Sequence, residues 1–504
     1  MRNEVFFTVN GQPMRASAEE SSWMLAEFLR KKRNLPGTKI VCAEGDCGAC
    51  TLLKAAPYSA EKKPRYLPVN SCIIPVATLD GARLVTVEGL AQKKENSSEL
   101  HPAQKAMLNC HGSQCGFCTP GFVMALAGLV ENRIEKKQTE SAISEKDARN
   151  ALTANLCRCT GYQPILNAAC SIRVSDCESV AKRYHSPALE KELKKAIQTP
   201  VTLKSDSFHF FAPTRLSEAA KFLKAHPRAR ILSGSTDLGV VHNKRKARLE
   251  EVVSLHLIPE LYQLKKVGKN RIHVGARVTL SEVRDFVKKS LIPEFANFLD
   301  LFASPQIKNQ ATLIGNLANA SPIGDTPPFL LVAGTVIHTW NSKLPAAKAK
   351  RKIPIEDFFL GYRKTALKPG EWITGLEFDI PSPKEKLSLK KISQRKDLDI
   401  STVNAAYRIE FDRSGQKIKR ARIAYGGIAA TPLRLPKIER ALEGQDIRHV
   451  SIEKLTDLLQ QSISPLSDVR SSSAFRRVTA ENLLTRFVSS LKDSSNGETS
   501  QVAL

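Results

Sequence analysis

Four cysteines near the N-terminus have the type and spacing to hold iron. Cys42, Cys47 and Cys50 stand in the stretch Cys-Ala-Glu-Gly-Asp-Cys-Gly-Ala-Cys, a C-x4-C-x2-C pattern, and Cys72 follows farther along. Thiolates hold iron–sulfur clusters at this spacing, three from one loop and the fourth from a distant position. Gly45 and Gly48 suit such a loop, because its backbone N–H groups must come close to inorganic sulfide. A structural zinc site would show two short pairs rather than a triplet with a distant single. A second set, Cys115-Gly-Phe-Cys118 and Cys157-Arg-Cys159, offers four more thiolates. Alone it fits zinc as well as iron; beside the first loop, a second cluster is the simpler reading.

The elements that must position these thiols can be read from pattern. Residues 4–10 and 83–87 have strand composition, and Leu25, Phe28 and Leu29 give one apolar face of a short helix. The cluster loop follows the turn Pro36-Gly37, and Asn70-Ser71-Cys72 returns the fourth thiol. Thr119-Pro120 opens an apolar run, so a helix is expected just after Cys118, and Gly161-Tyr162-Gln163-Pro164 leads into another. Both later cysteine pairs would then sit at helix N-termini, whose dipoles favour the negative charge of a thiolate-ligated cluster.

A length of 504 residues predicts roughly two to four domains. Eleven cysteines, eight of them at metal-binding spacings, with no apolar leader after Met1 and no long apolar run, give the expectation of a cytoplasmic protein without a membrane span. Cys110, Cys170 and Cys177 fall outside the pattern and read as plain thiols. The net charge of +26 is spread along the chain, with runs at Lys31-Lys32-Arg33, Lys244-Arg245-Lys246 and Lys348–Lys352. No nucleic-acid motif accompanies it, so a solvated surface or an acidic partner subunit is expected rather than nucleic acid.

The stretches His111-Gly-Ser-Gln-Cys-Gly-Phe-Cys-Thr-Pro-Gly121 and Asn155-Leu-Cys-Arg-Cys-Thr-Gly-Tyr162 closely resemble the helical iron–sulfur domain of the molybdenum hydroxylases. The resemblance implies that Cys115, Cys118, Cys157 and Cys159 hold the 2Fe-2S cluster nearest a molybdopterin, with Gln114 within reach of the pterin. The Cys42, Cys47, Cys50 and Cys72 loop resembles plant-type ferredoxins, which implies a β-grasp domain and a second 2Fe-2S cluster.

Farther on, Arg230-Ile-Leu-Ser-Gly-Ser-Thr-Asp-Leu-Gly239 is a strand running into a turn that offers N–H groups to a phosphate. Together with Ala303–Asn316 and Ala320–Asp325 it resembles the FAD-binding domain of vanillyl-alcohol-oxidase-like flavoproteins, in the molybdenum hydroxylase variant. The resemblance assigns FAD contacts to Ile231, Leu232, Ser233, Gly234, Ser235, Thr236, Asp237 and Leu238. It adds Thr312, Gly315, Asn316 and Asp325, an aromatic ring at Phe302, and further contacts at Ile373 and Lys391. The usual Gly-Gly-Asn reads Ile314-Gly315-Asn316 here. There is no GxGxxG fingerprint, so a Rossmann mode is not expected. Tyr362 and Arg363, in Phe358–Thr365, match positions that meet the nicotinamide nucleotide, and Asp397 lies in a loop governing its access.

The expected fold class is multidomain α+β. A β-grasp 2Fe-2S ferredoxin domain (1–88) precedes an all-helical 2Fe-2S domain (89–177), a linker (178–205) and the FAD-binding domain (206–385). A domain like the C-terminal part of CO dehydrogenase flavoproteins (386–492) and a disordered tail (493–504) complete it. The order is similar to that in the purine-oxidising members of the family. It implies that electrons from hypoxanthine or xanthine, oxidised on a separate molybdopterin-binding large subunit, pass through two clusters to FAD and then NAD+, in a heterotetramer. No catalytic acid or base is expected on this chain. Two other readings remain: the same chain serving aldehyde or N-heterocycle oxidation, and a stand-alone electron-transfer or redox-sensing module.

Overall fold

The fold was analysed in a computed structural model that describes residues 1–56, 65–94, 97–245, 249–288 and 291–495. Two compact units arise: residues 1–262 with 304–311, and residues 263–303 with 312–504.

In the first unit a five-stranded sheet has the order Gln12–Ala16, Val5–Val9, Arg83–Val85, Thr51–Ala55, Leu67–Asn70. Val5–Val9 runs parallel to Arg83–Val85 and the other pairs are antiparallel, the mixed sheet of a β-grasp. The helix Leu25–Lys32 turns Leu25, Ala26, Phe28 and Leu29 inward, and the Phe28 ring lies 6.0 Å from that of Phe7. Next to it pack the helices Pro102–Asn109, Thr119–Glu135, Glu145–Leu152 and Gln163–Ser171, preceded by a short ribbon, Gln92–Lys94 with Ser97–Glu99. Thr119–Glu135 is apolar nearly all round because it is covered on both sides: one core joins Phe122, Leu126 and Val130 to Leu53 and Val85 of the sheet.

The stretch 178–205 is not the linker its charge run suggested. It folds as the helices Val180–Arg183 and Pro187–Ile197 and the strand Val201–Ser205. The second helix is capped by Ser186 and buries Leu193 and Ala196 with Phe6. Two small contacts are enough to dock a polar helix, and they leave little hydrophobic period to read. Val201–Ser205 then edges a sheet with Phe208–Ala212, Glu251–Ser254 and Arg230–Leu232. Packing also cuts across the segment 206–385: Phe208, Phe210, Leu232 and Val252 share a core with Val5, Phe28 and Leu84.

The second unit holds an antiparallel sheet in the order Leu264–Val267, Arg271–Gly275, Glu371–Asp379, Val336–Asn341, Lys350–Pro354. Phe295 stacks on Phe329 at 3.7 Å and Phe378 meets Phe329 edge-on at 5.5 Å, forming its aromatic core. A second sheet, Glu385–Ile392, Val403–Phe411, Ile418–Gly426 and Leu433–Arg434, is covered by Pro436–Leu442, Ile452–Ser462 and Ser473–Ser495. That last helix takes in residues 493–495 of the expected disordered tail; residues 496–504 lie outside the described residues.

In this second sheet Arg408 donates to both oxygens of Glu385, at 2.8 and 2.9 Å, and the glutamate side chain is 3% exposed. Burial alone would push that carboxyl up, but the Arg408 guanidinium and the Ser382 N–H hold it down from 4.5 to about 2. A depressed carboxyl stabilises the fold fully above its unfolded value and ceases to do so as pH falls toward about 2, a contribution of about 3 kcal/mol. Melting curves of the wild type should therefore lose stability across that window, and replacing both Glu385 and Arg408 by methionine should flatten this part of the acid limb.

Candidate functional site

The first cysteine quartet is built by two loops of the β-grasp sheet. Positive φ at Ala43, Gly45 and Gly48 curls the chain so that the N–H groups of Glu44, Asp46 and Cys47 donate to Cys42 Sγ at 3.4–3.5 Å. Cys72 arrives on the 3-10 turn Ser71–Ile73, and Asn70 donates to the Gly45 carbonyl. Cys50 and Cys72 are buried, whereas Cys42 and Cys47 are half-buried. The four sulfurs converge closely enough to share protons. Hydrogen bonds from Cys47 and Cys72 pull the Cys42 thiol down, and the bond from Cys72 pulls Cys50 down. Cys47 and Cys72, the donors in these pairs, are pushed up. Such a set fits a group that replaces the shared protons with metal charge and leaves all four as thiolates.

The second quartet gathers at helix ends, as the motif spacing requires. Cys118 is the N-cap of Thr119–Glu135, and the Thr119 hydroxyl meets the Ser113 hydroxyl at 2.7 Å. Tyr162 takes a left-handed φ of 69° at the start of Gln163–Ser171, and its hydroxyl accepts from the Cys157 N–H at 3.0 Å. Cys115 and Cys159 bring their sulfurs to 3.5 Å and are exposed. Burial pushes the Cys118 thiol up to about 12. Cys157 is lowered despite burial, through its contacts with Thr160. Gln114 is exposed beside Cys115. Cys110 lies 3.8 Å from the Ser171 hydroxyl and belongs to neither quartet.

The two quartets are joined by direct bonds. The Leu156 N–H donates to the Cys47 carbonyl at 3.0 Å, and Asn155 Nδ2 donates to the Gly48 carbonyl at 3.1 Å. Gln306 Nε2 in turn donates to Asn155 Oδ1 at 3.1 Å. A β-carbon on Gly121 would sit 2.4 Å from the Gly48 carbonyl oxygen, so the helix after Cys118 approaches the first loop as closely as glycine permits. Gly121→Ala is expected to force the two loops apart, costing ~1–3 kcal/mol by overpacking. Melting temperature and iron content measured together should both fall.

The 231–238 stretch adjoins the first quartet within the same unit. The strand Arg230–Leu232 ends in Ser233-Gly234-Ser235, with Ser235 at a left-handed φ of 61°, before the helix Thr236–Arg245. A β-carbon on Gly234 would lie 2.4 Å from the Gln310 carbonyl oxygen. The Ser235 hydroxyl is buried without a hydrogen-bond partner, as a side chain awaiting a ligand would be. From the following helix, Asn243 Nδ2 donates to the carbonyls of Ala43 and Cys72, both at 2.8 Å, tying the expected flavin turn to the cluster loop. Sequence reasoning missed Asn155, Asn243 and Gln306, whose partners are all distant in the chain. Within the stretch Ala303–Asn316, ahead of the expected flavin residues Thr312–Asn316, Gln306 bonds Asn155 and Asn309 bonds the Pro68 carbonyl.

In the second unit Thr312 caps Leu313–Ala318 by accepting from the Gly315 N–H at 3.0 Å. Asn316 accepts from the Thr326 hydroxyl at 2.6 Å, and Ile314 is buried, so its extra side chain is accommodated in the core. Lys391 Nζ meets Asp325 at 2.9 Å and the Asp399 carbonyl at 2.7 Å, and sits 5.9 Å from the Phe302 ring centroid. Four of the expected residues are thereby brought into two pairs, Asp325 with Lys391 and Thr312 with Gly315. Ile373 is a buried strand residue opposite Thr339. Tyr362 is exposed, and Arg363, at a left-handed φ of 54°, places its guanidinium 6.0 Å from the Tyr362 ring. Asp397 is half-buried in the loop before Val403–Phe411.

Three family models match the chain: a [2Fe-2S] binding domain over residues 86–170, the FAD binding domain in molybdopterin dehydrogenase over 206–383, and the CO dehydrogenase flavoprotein C-terminal domain over 389–491. A xanthine dehydrogenase of Drosophila pseudoobscura pseudoobscura is 30% identical, aligning with 91% of this chain and 37% of that protein. Aldehyde oxidase 1 of Bos taurus is 28% identical, over 96% of this chain and 39% of its own length. The chain thus spans well under half the length of these curated relatives. Among solved structures, a CO dehydrogenase from Oligotropha carboxidovorans aligns at 25% identity with a TM-score of 0.52, covering 57% of this chain and 99% of that one. No helix among the described residues is long and apolar enough to cross a membrane. Domain content, domain order and the cysteine constellation together make this chain an iron–sulfur and FAD-binding chain of the molybdenum hydroxylase family.

Proposed function

We propose that the chain is the electron-transfer subunit of a xanthine dehydrogenase. In this reading it works with a separate molybdopterin-binding subunit, in a heterotetramer in the cytoplasm, and with NAD+ as acceptor. The observation that carries the reading is the Leu156 N–H bond to the Cys47 carbonyl, which makes the two cysteine loops one continuous structure. Cys42, Cys47, Cys50 and Cys72 would hold one 2Fe-2S cluster and Cys115, Cys118, Cys157 and Cys159 the other. Bound there and at the flavin stretches, the clusters and FAD supply one- and two-electron transfer, so the protein sets spacing and surroundings rather than acid–base chemistry.

The residues divide the work. Ser235 and the N–H groups of the turn into Thr236–Arg245 would receive FAD phosphate, helped by the helix dipole; Asn243 fixes that helix against the first quartet. Thr312, Gly315, Asn316, Asp325 and Lys391 are further flavin residues that the resemblance implies. The partner would cover the exposed second quartet, where Phe117 and Leu156 are 50% and 45% exposed, with Gln114 meeting the pterin. Arg363 and Tyr362 would receive the nucleotide, a cation for its phosphates and a ring for its base.

The similarity to aldehyde oxidase 1 over nearly the whole chain supports an aldehyde-oxidising second reading. Purifying the chain with its native companion under anaerobic conditions separates the two. The expected preparation carries about four irons and FAD, and reduces NAD+ with xanthine or hypoxanthine. Turnover of aldehydes alone would favour the second reading, and zinc in place of iron would overturn both.

A further inference from the structure

Three side chains converge on the first sheet of the second unit. His273 lies on Arg271–Gly275 directly opposite Glu377 of Glu371–Asp379, and His338 of Val336–Asn341 lies opposite Gly375 on the other side of that central strand. Since strand side chains alternate faces, residues 375 and 377 share one face, and both imidazoles fall on it. Gly375 has no side chain to interfere; a β-carbon there would be 3.2 Å from the His273 ring.

His273 Nδ1 and His338 Nε2 stand 3.6 and 3.5 Å from the same oxygen, Glu377 Oε1. His338 Nε2 is buried and makes no hydrogen bond. These separations are longer than the ~2.7–3.2 Å of a good hydrogen bond. They are close to the edge, about 3.3 Å, of a tetrahedron with ligand bonds of about 2.0–2.1 Å. The three ligand atoms all lie within 4.8 Å of one another. We propose that His273, His338 and Glu377 form a zinc(II) site on the flavin-domain sheet, with its fourth position left for water.

Three adjacent strands fix the ligands before any ion arrives, so binding orders little. Burial also keeps both imidazoles below their ordinary 6.5, leaving their lone pairs free at neutral pH. Lys265, Lys352 and Arg271 face the histidines and oppose a cation; Arg271 is paired with Asp379 at 3.2 Å, and Glu377 supplies the local anion. Imidazole and carboxylate donors in this number suit zinc, whereas magnesium and calcium prefer oxygen alone. A second group, His209, His226 and Glu251, lacks the same feature, because His226 and Glu251 are already at hydrogen-bonding distance, 2.9 Å.

The test uses the full chain with flavin and iron loaded, equilibrated with zinc chloride, desalted, and analysed for metal. Wild type and His226→Ala should retain about one zinc more than His338→Ala, and calorimetric titration should show at least tenfold weaker binding in Glu377→Gln. Unchanged flavin absorbance verifies folding, and His273→Gln replaces His338→Ala if that variant does not fold. Equal zinc in wild type and in the folded His338 or His273 variant would overturn the proposal, as would loss of zinc only in His226→Ala.

Discussion

Cys159→Ser should lower the iron content from about four to about two per chain while FAD stays bound. The physical reason is ligand softness: a serine hydroxyl is a hard donor, and iron–sulfur clusters select soft thiolates. Cys159 Sγ lies 3.5 Å from Cys115 Sγ and both residues are exposed, while Cys110, outside the quartet, is in contact with the Ser171 hydroxyl instead. The first quartet sits on the β-grasp loops and should keep its iron. Xanthine-driven reduction of NAD+ should fall to background, because the second quartet is the exposed one and the proposed point of contact with the partner. NADH-driven reduction of a dye at the flavin should persist, since Cys159 is not among the flavin residues. Iron analysis, flavin absorbance and the two assays check this together; unchanged xanthine turnover with half the iron gone would sink the assignment.

Lys391→Met should destabilise the second unit by about 3–5 kcal/mol, the range for removing one partner of a buried ion pair. The side chains of Lys391 and Asp325 are 2% and 6% exposed. Lys391 also holds the Asp399 carbonyl, while Ser401 and Asn404 donate to the Asp325 carboxylate. Removing the ammonium leaves a carboxylate with hydrogen bonds but without its counter-charge. Adding Asp325→Asn should restore much of the melting temperature, because the uncompensated charge is gone, yet flavin content should remain low in the double variant. That split separates a structural from a binding role. Wild-type flavin content in the double variant would leave the pair with only a structural role.

Several of these assignments were legible in the chain because their signals are local. The helix after Cys118 and the strand-to-turn passage at Arg230–Thr236 each lie within a dozen or so residues, and each was found where expected. What was not legible has one cause. Residues 178–205 looked like a linker since the helix Pro187–Ile197 needs only Leu193 and Ala196 to dock on Phe6, a contact with residues far back in the chain. The segment 206–385 reads as one domain and a family model matches 206–383, but that its first sheet completes a core begun by Val5 and Phe28 has no local signal.

The sequence by itself determined which atoms are candidates to ligate: thiol identity and short-range spacing single out eight sulfurs, because a motif on one loop depends only on neighbours in the chain. Tertiary structure alone decided what those loops touch. That Asn155 and Leu156 hold the first cysteine loop, that Asn243 ties the helix after Ser235 to Ala43 and Cys72, and that two histidines meet one glutamate across three strands are consequences of register and packing. They join residues separated by long stretches of chain, and no local pattern of residues encodes them.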